Sequence, residues 1–490
     1  MKITLIQPAK PNDDSPAGKS WSLCKPMSLL YLLAALEKKS SHSPSIIDFE
    51  QIFALDPNAE VRSILEKDQA DIYGVTATTF TRFEAINIIN LLREVHPKKP
   101  IIVGGVHFMY ADIDTMQNVP AVDFVIRGEG EITLIRLLDA LEYGIDLSTV
   151  RGLTYRKNGM IERTEDQDVF EDLDSVPIFE YKSPVEYPEF LMGPNVEIPA
   201  VSIMSSRGCP NNCVFCAKAG MKYRHHSTEY VIKEIKHYIT NYNIRAFNFL
   251  DLTFTANPRK AKELCEAIVK EKLDIQWWCE TRANIPLSLL NLMYKAGCRY
   301  LVMGVESGSE RVLKNLQKGI SKAQVNAVIE RATSIGIDLT CYFMYSHLTE
   351  KFVDAVETIK YMDMLKKKFN IHCAFQPCLI LPGTKIEKIA IMKGLLPTDF
   401  SWSKQYQDLR NSEIEQLTGI PLFFDAMDFR EVKEIYLMHR HAGHIRARYV
   451  KTNPAKILRA IRKYGIYNLV RIFFEDIKKS WFIYKKKHFD

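Results

Sequence analysis

The sequence predicts an α/β protein with two parallel-sheet domains and a helical C-terminal region. Short apolar runs alternate with amphipathic helical patterns from residue 1 to about 145, and the alternation returns from residue 200 to about 385. Such alternation is typical of parallel strands joined by helices. A stretch rich in proline and glycine, residues 184–199, separates the two series and indicates a domain boundary.

The composition is that of a globular protein with room for a large core. The 490 residues predict two or three domains, and 47% hydrophobic with 25% charged residues is an ordinary balance. The ten cysteines follow no extracellular disulfide pattern, and Met1–Ile6 begins a strand rather than a signal peptide. No apolar run approaches the ~18 residues that span a membrane. We therefore expect a cytoplasmic protein.

The first series predicts a Rossmann-like, doubly wound domain over residues 1–148. Strands are expected at Ile3–Gln7, Ser45–Asp48, Ile72–Thr76, Ile101–Gly104 and Val122–Ile126, with helices at Met27–Lys38 and Phe83–Glu94. Ligands of such sheets bind at the carboxyl ends of the strands. The turns at those ends are rich in small residues, at Gly74–Thr79, Gly104–His107 and Gly128–Glu131. By themselves these turns do not specify a ligand.

Residues 149–198 are predicted to form a connector, in which Asn158-Gly159 is the turn of a small hairpin. Residues 199–388 predict six strand–helix units, which make a partial (β/α)6 TIM barrel with its site at the strand carboxyl ends. The expected strands after Ile198–Met204 are Ala246–Leu250, Ile275–Cys279, Tyr300–Val305, Ile337–Tyr345 and Ile371–Pro377. The expected helices include one capped by Ser227 and one at Lys322–Ser334.

Three cysteines follow the first barrel strand in a C-x-x-x-C-x-x-C pattern, at Cys209, Cys213 and Cys216. Three thiolates on one tight loop suit an iron–sulfur cluster, which usually has four Cys ligands, and leave one iron with an open coordination site. The alternative is a zinc site, which would need a fourth ligand nearby. Only His225 and His226 are close enough in sequence, and they lie in a basic run.

This motif, with Phe215 before the third cysteine, is similar to that of the radical S-adenosylmethionine (SAM) family. Gly104-Gly105-Val106-His107, followed by Val122–Glu131, resembles the cobalamin-binding domain of the cobalamin-dependent, class B methyltransferase-like members. The resemblance implies three cofactors: a 4Fe–4S cluster, SAM and cobalamin. The D-x-H-x-x-G motif of classical cobalamin domains is absent, so the resemblance implies base-off cobalamin without a His ligand.

The resemblance also implies site residues. The SAM contacts it implies, besides the three cysteines as cluster ligands, are Phe215, Asp251, Glu280, Arg282, Gly304, Glu306 and Ser307. The cobalamin contacts it implies are Thr76, Thr78, Gly104, Gly105, His107, Gly128, Glu129 and Gly130. For His107 we favour a turn residue that bonds backbone or a corrin side chain. One loop departs from the family: relatives often show G-x-P-G-E where this chain has Ser346–Glu350, so we expect a different turn there.

The activity that the resemblance implies is reductive cleavage of SAM to a 5′-deoxyadenosyl radical, followed by methylation of an unactivated carbon through methylcobalamin. The alternatives are a non-methylating reaction, such as oxidative cyclisation or ring rearrangement, and a non-catalytic cobalamin or cluster sensor. No catalytic side chain is implied beyond the cluster ligands. Cys378, on a predicted barrel strand, is a candidate thiol, although free Cys is commonly buried and inert.

Residues 389–490 are predicted to be helical and basic. Of the net charge of +6, residues 446–490 contribute 13 Lys and Arg against 3 Asp and Glu, so the rest of the chain is slightly acidic and no nucleic-acid partner is expected. The basic amphipathic pattern after residue 456 predicts either a helix packed on the barrel or peripheral contact with the inner face of a membrane. The expected partners are a small-molecule or lipid substrate and an electron donor such as flavodoxin or ferredoxin.

Overall fold

The structure is a computed structural model that describes residues 1–10, 26–167, 172–180, 189–190, 198–218, 221–406, 410, 413–414 and 419–450. The described residues up to 429 form one compact unit, and those from 430 to 450 belong to a second. The basic amphipathic pattern predicted after residue 456 lies outside the described residues.

The first sheet has seven strands in the order β2-β1-β3-β4-β5-β6-β7. They are β1 (Lys2–Gln7), β2 (Ser43–Asp48), β3 (Ile72–Thr76), β4 (Ile101–Gly104), β5 (Phe124–Ile126), β6 (Leu153–Lys157) and β7 (Met160–Arg163). Strands β1 to β5 pair in parallel, which confirms the doubly wound prediction. The hairpin β6–β7, assigned to the connector from the sequence, pairs antiparallel with β5. Asn158 and Gly159 both have positive φ, as a tight type I′ turn requires.

Helices cover both faces of this sheet. They are α1 (Met27–Lys39), α2 (Phe49–Leu55), α3 (Val61–Lys67), α4 (Arg82–Val95), α5 (Val106–Tyr110), α6 (Asp112–Asn118) and α7 (Gly130–Tyr143). Alternate strand residues face opposite sides, so Val75 and Val103 pack with Ile89 of α4, whereas Ile72 and Ile102 pack against α1 and α7. The two faces therefore have separate apolar cores, and the carboxyl ends of the strands stay at one edge.

The second sheet is the predicted partial barrel. Its seven strands run in the order β16-β15-β14-β13-β12-β9-β8, and they are β8 (Glu189–Phe190), β9 (Pro199–Ile203), β12 (Ala246–Phe249), β13 (Gln276–Thr281), β14 (Cys298–Glu306), β15 (Asp338–Tyr345) and β16 (His372–Pro377). The six strands from β9 to β16 in this sheet pair in parallel, and β8 adds an antiparallel edge. The sheet therefore confirms the prediction of a partial (β/α)6 barrel.

The helices of the barrel follow its strands. They are α8 (Thr228–Tyr242), α9 (Pro258–Lys270), α10 (Leu287–Lys295), α11 (Glu310–Asn315), α12 (Lys322–Ser334), α13 (Phe352–Phe369) and α14 (Lys385–Met392). Ser227 caps α8 as predicted, because its hydroxyl accepts from Tyr230 N at 3.0 Å. Of the neighbouring tryptophans on β13, Trp277 packs against Phe249 and Phe254, whereas Trp278 belongs to the cluster with Val302 and Tyr342. The two rings therefore lie on opposite faces of the sheet.

Smaller elements complete the chain. Three 3₁₀ turns occur at Leu147–Thr149, Leu173–Ser175 and Phe254–Ala256. The short antiparallel pair β10 (Ser206–Arg207) and β11 (Arg224–His225) encloses the cysteine loop. The last described helix, α15, covers Phe429–Val450. Within the described ranges, no helix combines the length and apolar character that crossing a bilayer requires.

Candidate functional site

The cysteine loop, residues 208–223, leaves β10 and returns through β11. Cys213 is buried, and Cys209 and Cys216 are partly exposed. The loop is closed at its base because Cys209 N donates to Met221 O at 3.1 Å. Gly208 has a φ of +80°, and a Cβ at this position would lie 2.1 Å from Lys222 O. Only glycine fits this backbone, so the closure of the loop depends on it.

The sulfur atoms of the loop accept hydrogen bonds. Arg282 Nη1 donates to Cys213 Sγ at 3.2 Å, and Asn211 Nδ2 donates to Cys209 Sγ at 3.3 Å. Burial raises the pKa of the Cys216 thiol, and the nearby Cys213 and Cys209 raise it further. Three neighbouring thiols with N–H donors directed at two of them form a donor set that fits an iron–sulfur cluster.

The two histidines considered as zinc ligands are engaged elsewhere. His226 Nδ1 lies 3.2 Å from Asp174 Oδ1, and its ring stacks on Tyr230 at 4.2 Å. Burial, followed by the charge of Arg207, lowers the pKa of His226 to about 4. His225 Nδ1 contacts the carbonyl of His226 at 3.1 Å. In the described part of the chain, no three His, Cys, Asp or Glu residues, the loop cysteines included, are placed to share a single metal ion. A 4Fe–4S cluster does not require this, because each cysteine would bind a different iron.

Asp251 follows β12 and is fully buried. It accepts from Ser205 N at 3.1 Å, from Ser205 Oγ at 2.8 Å and from Ser206 Oγ. Burial raises its pKa, while the bonds from the two serines lower it. Asp251 thus anchors the residues just ahead of the cysteine loop. Its SAM contact stays a prediction, because both of its oxygens are occupied within the protein.

Glu280 projects from β13 into the open barrel, where it is exposed to solvent. Desolvation by the surrounding protein raises its pKa to about 6; Lys218 lowers it, and Glu306 raises it. The sequence did not single out Lys218, although its position two residues after Cys216 was an available signal. Glu280 and the partly exposed Lys218 thus carry opposite charges that influence each other beside the cysteine loop.

The end of β14 carries a buried ion pair. Lys318 Nζ lies 2.6 Å from Glu306 Oε1, and Glu306 itself has a φ of +75°. A Cβ at Gly304 would lie 2.5 Å from Glu306 Oε1, so this glycine leaves room for the carboxylate of Glu306. Ser307 is fully buried, and its hydroxyl contacts Thr358 Oγ1 of α13 at 3.1 Å. Contacts within the protein thus explain the residue type at Gly304 and Ser307, and the SAM contacts expected for both stay predictions.

The loop that departs from the family keeps a turn that suits glycine. Ser346 and Thr349 have φ values of +64° and +60°, at the two positions where relatives often have glycine. Both residues therefore adopt the left-handed backbone that favours glycine, and the expectation of a different turn stays a prediction. The strained backbone is held because Ser346 Oγ donates to Phe423 O at 2.5 Å and Thr349 N donates to Asp425 Oδ2 at 2.5 Å.

His347, in the same loop, lies close to Phe215 of the cysteine loop. Their ring centroids are 6.1 Å apart, and Lys318 Nζ lies 5.9 Å from the Phe215 ring. Burial lowers the pKa of His347 to about 4, so the ring is neutral. Phe215 therefore packs the cysteine loop against His347 and Lys318, and its SAM contact stays a prediction.

Cys378 does not suit the role of a reactive thiol. It is 1% exposed and packs in an apolar cluster with Ile380, Ile386 and Phe423. Burial raises the pKa of its thiol, with Glu350 and Glu306 adding to the effect. A nucleophilic Cys needs a lowered pKa and access. The placement therefore corrects the candidate assignment and makes Cys378 a core residue.

The predicted cobalamin residues of β3 and β4 lie at the carboxyl edge of the first sheet. Gly104 O accepts from Ala77 N at 3.2 Å, and Gly105 has a φ of +88°. A Cβ at Gly105 would lie 2.5 Å from Thr76 Oγ1, so the two strand ends approach closely. Thr78 is exposed at this edge. Small residues and an accessible hydroxyl at the strand ends fit a bulky ligand.

His107 is fully buried rather than presented at this edge. Its Nδ1 lies 3.3 Å from Thr79 Oγ1, and its ring packs edge-on against Phe108 and Trp402. Burial, and then the charge of Arg82, lowers its pKa to about 3. His107 therefore lies within α5 and contacts a threonine hydroxyl, and the turn role expected for it, with a bond to backbone or a corrin side chain, stays a prediction.

The Gly128–Glu131 turn is occupied by protein contacts. Gly128 has a φ of +87°, which explains the glycine. A Cβ at Gly130 would lie 2.8 Å from Leu32 Cδ2, so this glycine lets α7 approach α1. Glu129 forms ion pairs with arginines on β10 and β11. The cobalamin contacts predicted for these residues remain predictions.

One residue that the sequence did not single out, Tyr110, connects the first domain to the cysteine loop. Tyr110, at the end of α5, donates from its hydroxyl to Ala217 O of the cysteine loop at 2.6 Å. Gly383 also packs on this ring, where an added Cβ would lie 2.4 Å from Tyr110 Cδ1. The segment that follows Gly104 and Gly105 is therefore hydrogen-bonded directly to the cysteine loop.

Comparisons with known proteins agree with this geometry. Residues 203–362 match the radical SAM superfamily, and residues 17–138 match the B12 binding domain. An uncharacterised methyltransferase of Pyrococcus horikoshii is 32% identical over 413 residues, which cover 82% of this chain and 86% of that protein. The chain belongs to the cobalamin-binding radical SAM enzymes.

Other members of this enzyme family support the same architecture. An anaerobic magnesium-protoporphyrin IX monomethyl ester cyclase of Synechocystis is 29% identical over 65% of this radical SAM chain and 64% of the cyclase. The radical SAM methyltransferase TsrM of Kitasatospora setae, solved with cobalamin and a 4Fe–4S cluster, has a TM-score of 0.66 at 17% identity, over 79% of this chain and 75% of TsrM. The cofactors of this radical SAM enzyme are a 4Fe–4S cluster, SAM and cobalamin.

Proposed function

We propose that this radical SAM enzyme methylates an unactivated carbon of a small molecule with the help of cobalamin. One observation carries the proposal: the hydrogen bond from Tyr110 to Ala217 joins the carboxyl edge of the first sheet to the cysteine loop. A ligand held at that edge would lie beside the loop. The methyltransferase name of the 32% identical relative supports methylation as the outcome.

Different residues of the chain would hold the cluster and cobalamin. Cys209, Cys213 and Cys216 would hold the cluster, and the strand-end residues Thr78 and Gly105 would lie against cobalamin. When bound, these groups supply reductive SAM cleavage and methyl transfer. Arg282 donates to Cys213 Sγ at 3.2 Å and would orient this cluster ligand.

Glu280 presents an exposed carboxylate beside the loop, and the partly exposed Lys218 adds an ammonium. They are complementary to the amine and carboxylate of an amino acid such as SAM. Phe215 and the buried pair of Glu306 with Lys318 close the adjacent side and keep water from the reacting atoms.

The test is anaerobic reconstitution with iron, sulfide and cobalamin, followed by SAM with a deuterated methyl group, a reductant and candidate substrates. Mass spectrometry should find 5′-deoxyadenosine and a product that carries the label. Cys213→Ala should abolish both, whereas Cys373→Ala, a buried thiol on β16, should keep both. Substantial 5′-deoxyadenosine from Cys213→Ala would contradict the cluster assignment.

The second candidate is oxidative cyclisation, which the 29% identity with a magnesium-protoporphyrin ester cyclase favours. Cyclisation would yield 5′-deoxyadenosine and a product that has lost hydrogen and carries no label. The same mass spectra therefore separate the two reactions.

Partners follow from the chemistry. Reductive cleavage consumes an electron, so we propose a flavodoxin or ferredoxin as the donor in a cytoplasmic setting.

The basic pattern after residue 456 motivates a lipid substrate or peripheral membrane contact as part of this proposal. Sedimentation with anionic vesicles, compared with neutral ones, tests the membrane contact. No binding to the anionic vesicles would contradict it, and equal binding to both kinds would contradict the role of the basic residues.

A further inference from the structure

The neck of the cysteine loop is formed by two arginines. Arg207 on β10 and Arg224 on β11 are directly paired in the antiparallel ladder. The loop with all three cysteines lies between them. The side chains of both arginines are nearly buried, with relative exposures of 9% and 7%. Buried guanidinium groups need charged partners.

Those partners come from the first domain. Arg224 forms a bidentate pair with Glu129, with Nη1–Oε2 at 3.0 Å and Nη2–Oε1 at 2.7 Å. Arg207 Nη1 lies 2.7 Å from Glu131 Oε1 and 3.7 Å from Glu129 Oε2. Charge-assisted pairs of this kind are strong and geometrically specific.

The two carboxylates have a fixed position on the first sheet. Glu129 precedes the first residue of α7, and Glu131 lies in its first turn, just after β5. The close approach of Gly130 to Leu32 fixes α7 against α1, and Tyr31 of α1 stacks under Arg207 at 5.0 Å. The carboxylates are therefore rigidly placed relative to the strand ends where we place cobalamin.

We propose that Glu129, Glu131, Arg207 and Arg224 form a neck clamp that sets the position of the cysteine loop relative to the cobalamin edge of the first sheet. With the Tyr110–Ala217 hydrogen bond as a second attachment, two points fix the orientation of the loop. The four are positioning residues, and they couple SAM cleavage to methyl transfer. The inference rests on the proposed function.

The experiment compares the reconstituted full chain with its Glu129→Gln/Glu131→Gln variant, which keeps side-chain size but removes both carboxylates. The matched control is Glu94→Gln, which removes a carboxylate from the exposed pair with Arg62 in the same domain. One readout is hydrogen exchange of peptides from residues 208–223, with the barrel strands as reference. The other is the amount of methylated product per 5′-deoxyadenosine.

We expect the variant to exchange at 208–223 about tenfold faster, since losing charge-assisted contacts opens the loop locally. Product per 5′-deoxyadenosine should fall about tenfold, with the control unchanged. Unchanged exchange at 208–223 would overturn the clamp, as would faster exchange spread evenly over the first domain.

A second variant separates the clamp from simple loss of folding. Restoring a charge pair in Arg207→Glu/Glu131→Arg should recover part of the exchange protection that Glu131→Arg alone loses. Equal hydrogen exchange in the double variant and in Glu131→Arg alone would overturn the pairing of Arg207 with Glu131. If the wild-type protein gives no methylated product, the proposed function fails, while hydrogen exchange still decides whether the clamp exists.

Discussion

Arg282 on β13 and Cys213 on the cysteine loop are joined by a 3.2 Å hydrogen bond from Nη1 to Sγ. Both residues are buried. The bond therefore links the barrel to one cluster ligand in a place from which water is largely excluded. Because the guanidinium of Arg282 is charged, the strength of this hydrogen bond depends on the charge of the Cys213 sulfur.

Replacing Arg282 with Gln should make the cluster harder to reduce. Hydrogen bonds to cluster sulfurs stabilise the more negative, reduced state. Losing one charged bond of ~1.5–3 kcal/mol corresponds to a midpoint shift of roughly −60 to −130 mV for one electron. Spectroscopic redox titration measures the shift. Arg299→Gln is the control, because this partly exposed arginine on β14 stacks on Tyr294. Equal midpoints for the two variants would contradict the role of Arg282.

Tyr110→Phe should lower product per 5′-deoxyadenosine and cost about 1 kcal/mol of unfolding free energy, because one hydrogen bond is lost. Tyr73→Phe is the control, since its hydroxyl also donates to a backbone carbonyl, that of Asp68 at 3.1 Å, but within the first domain. Both variants should lose similar stability, and only Tyr110→Phe should change the product ratio. The same ratio in both would argue against the Tyr110 contact as a functional link.

Gly208→Ala should prevent the cysteine loop from closing. The new Cβ would lie 2.1 Å from Lys222 O, besides the cost of a φ of +80°. We expect a loss above ~3 kcal/mol in unfolding free energy and no retained iron. Gly159→Ala is the control, because Gly159 has the same φ of +80° but no atom within 4 Å of an added Cβ. It measures the effect of the backbone conformation alone and should lower the unfolding free energy by only about 1 kcal/mol. Iron content near wild type in Gly208→Ala would contradict the geometry of the neck.

Glu234→Gln should change how stability depends on pH. Burial, with Asp251 adding, raises the pKa of Glu234 to about 8, against ~4.3 in an unfolded chain. The folded state thus binds the extra proton between these values, and wild-type stability falls as pH rises from about 4.5 to about 8. The variant should match wild type near pH 4.5 and exceed it by a few kcal/mol at pH 8.

Urea unfolding at several pH values measures this dependence on Glu234. The control is Glu330→Gln, which removes an exposed carboxylate from α12. Parallel stability curves for wild type and Glu234→Gln would show that the carboxyl is ionised in the folded protein.

Cys378→Ala should keep full 5′-deoxyadenosine formation, because the thiol is buried in an apolar cluster. The small cavity should cost about 1 kcal/mol of unfolding free energy. Turnover is measured after equal cluster loading. A loss of turnover with intact cluster content would restore Cys378 as a catalytic candidate.

The local pattern of the sequence was enough to predict most of the fold. Helix Lys322–Ser334 has the predicted limits, and the strands Ile72–Thr76 and Ile101–Gly104 also match. Periodicity and capping are encoded within a few residues, so they are readable without the fold. The cysteine spacing likewise carries its chemistry locally.

The parts that could not be predicted depend on distant partners. Glu129 was assigned to a ligand, and its partners Arg207 and Arg224 are distant from it along the chain, with 95 positions between Glu129 and Arg224. Ser346 and Thr349 adopt a glycine-like turn only because residues 423–425 hold it. Pairing over such distances has no periodic signature, so the sequence gives no rule for it.

The loop at Ser346–Glu350 has a consequence for the order of synthesis. Its hydrogen-bond partners at Phe423 and Asp425 leave the ribosome 77 and 76 residues after Ser346 and Thr349, respectively. The barrel strands are complete at Pro377. During translation the chain therefore passes through a stage in which all six parallel barrel strands exist but the wall beside Phe215 is still open. We therefore expect the turn at Ser346–Glu350 to reach its final backbone conformation only after the segment around Phe423 and Asp425 has been synthesised.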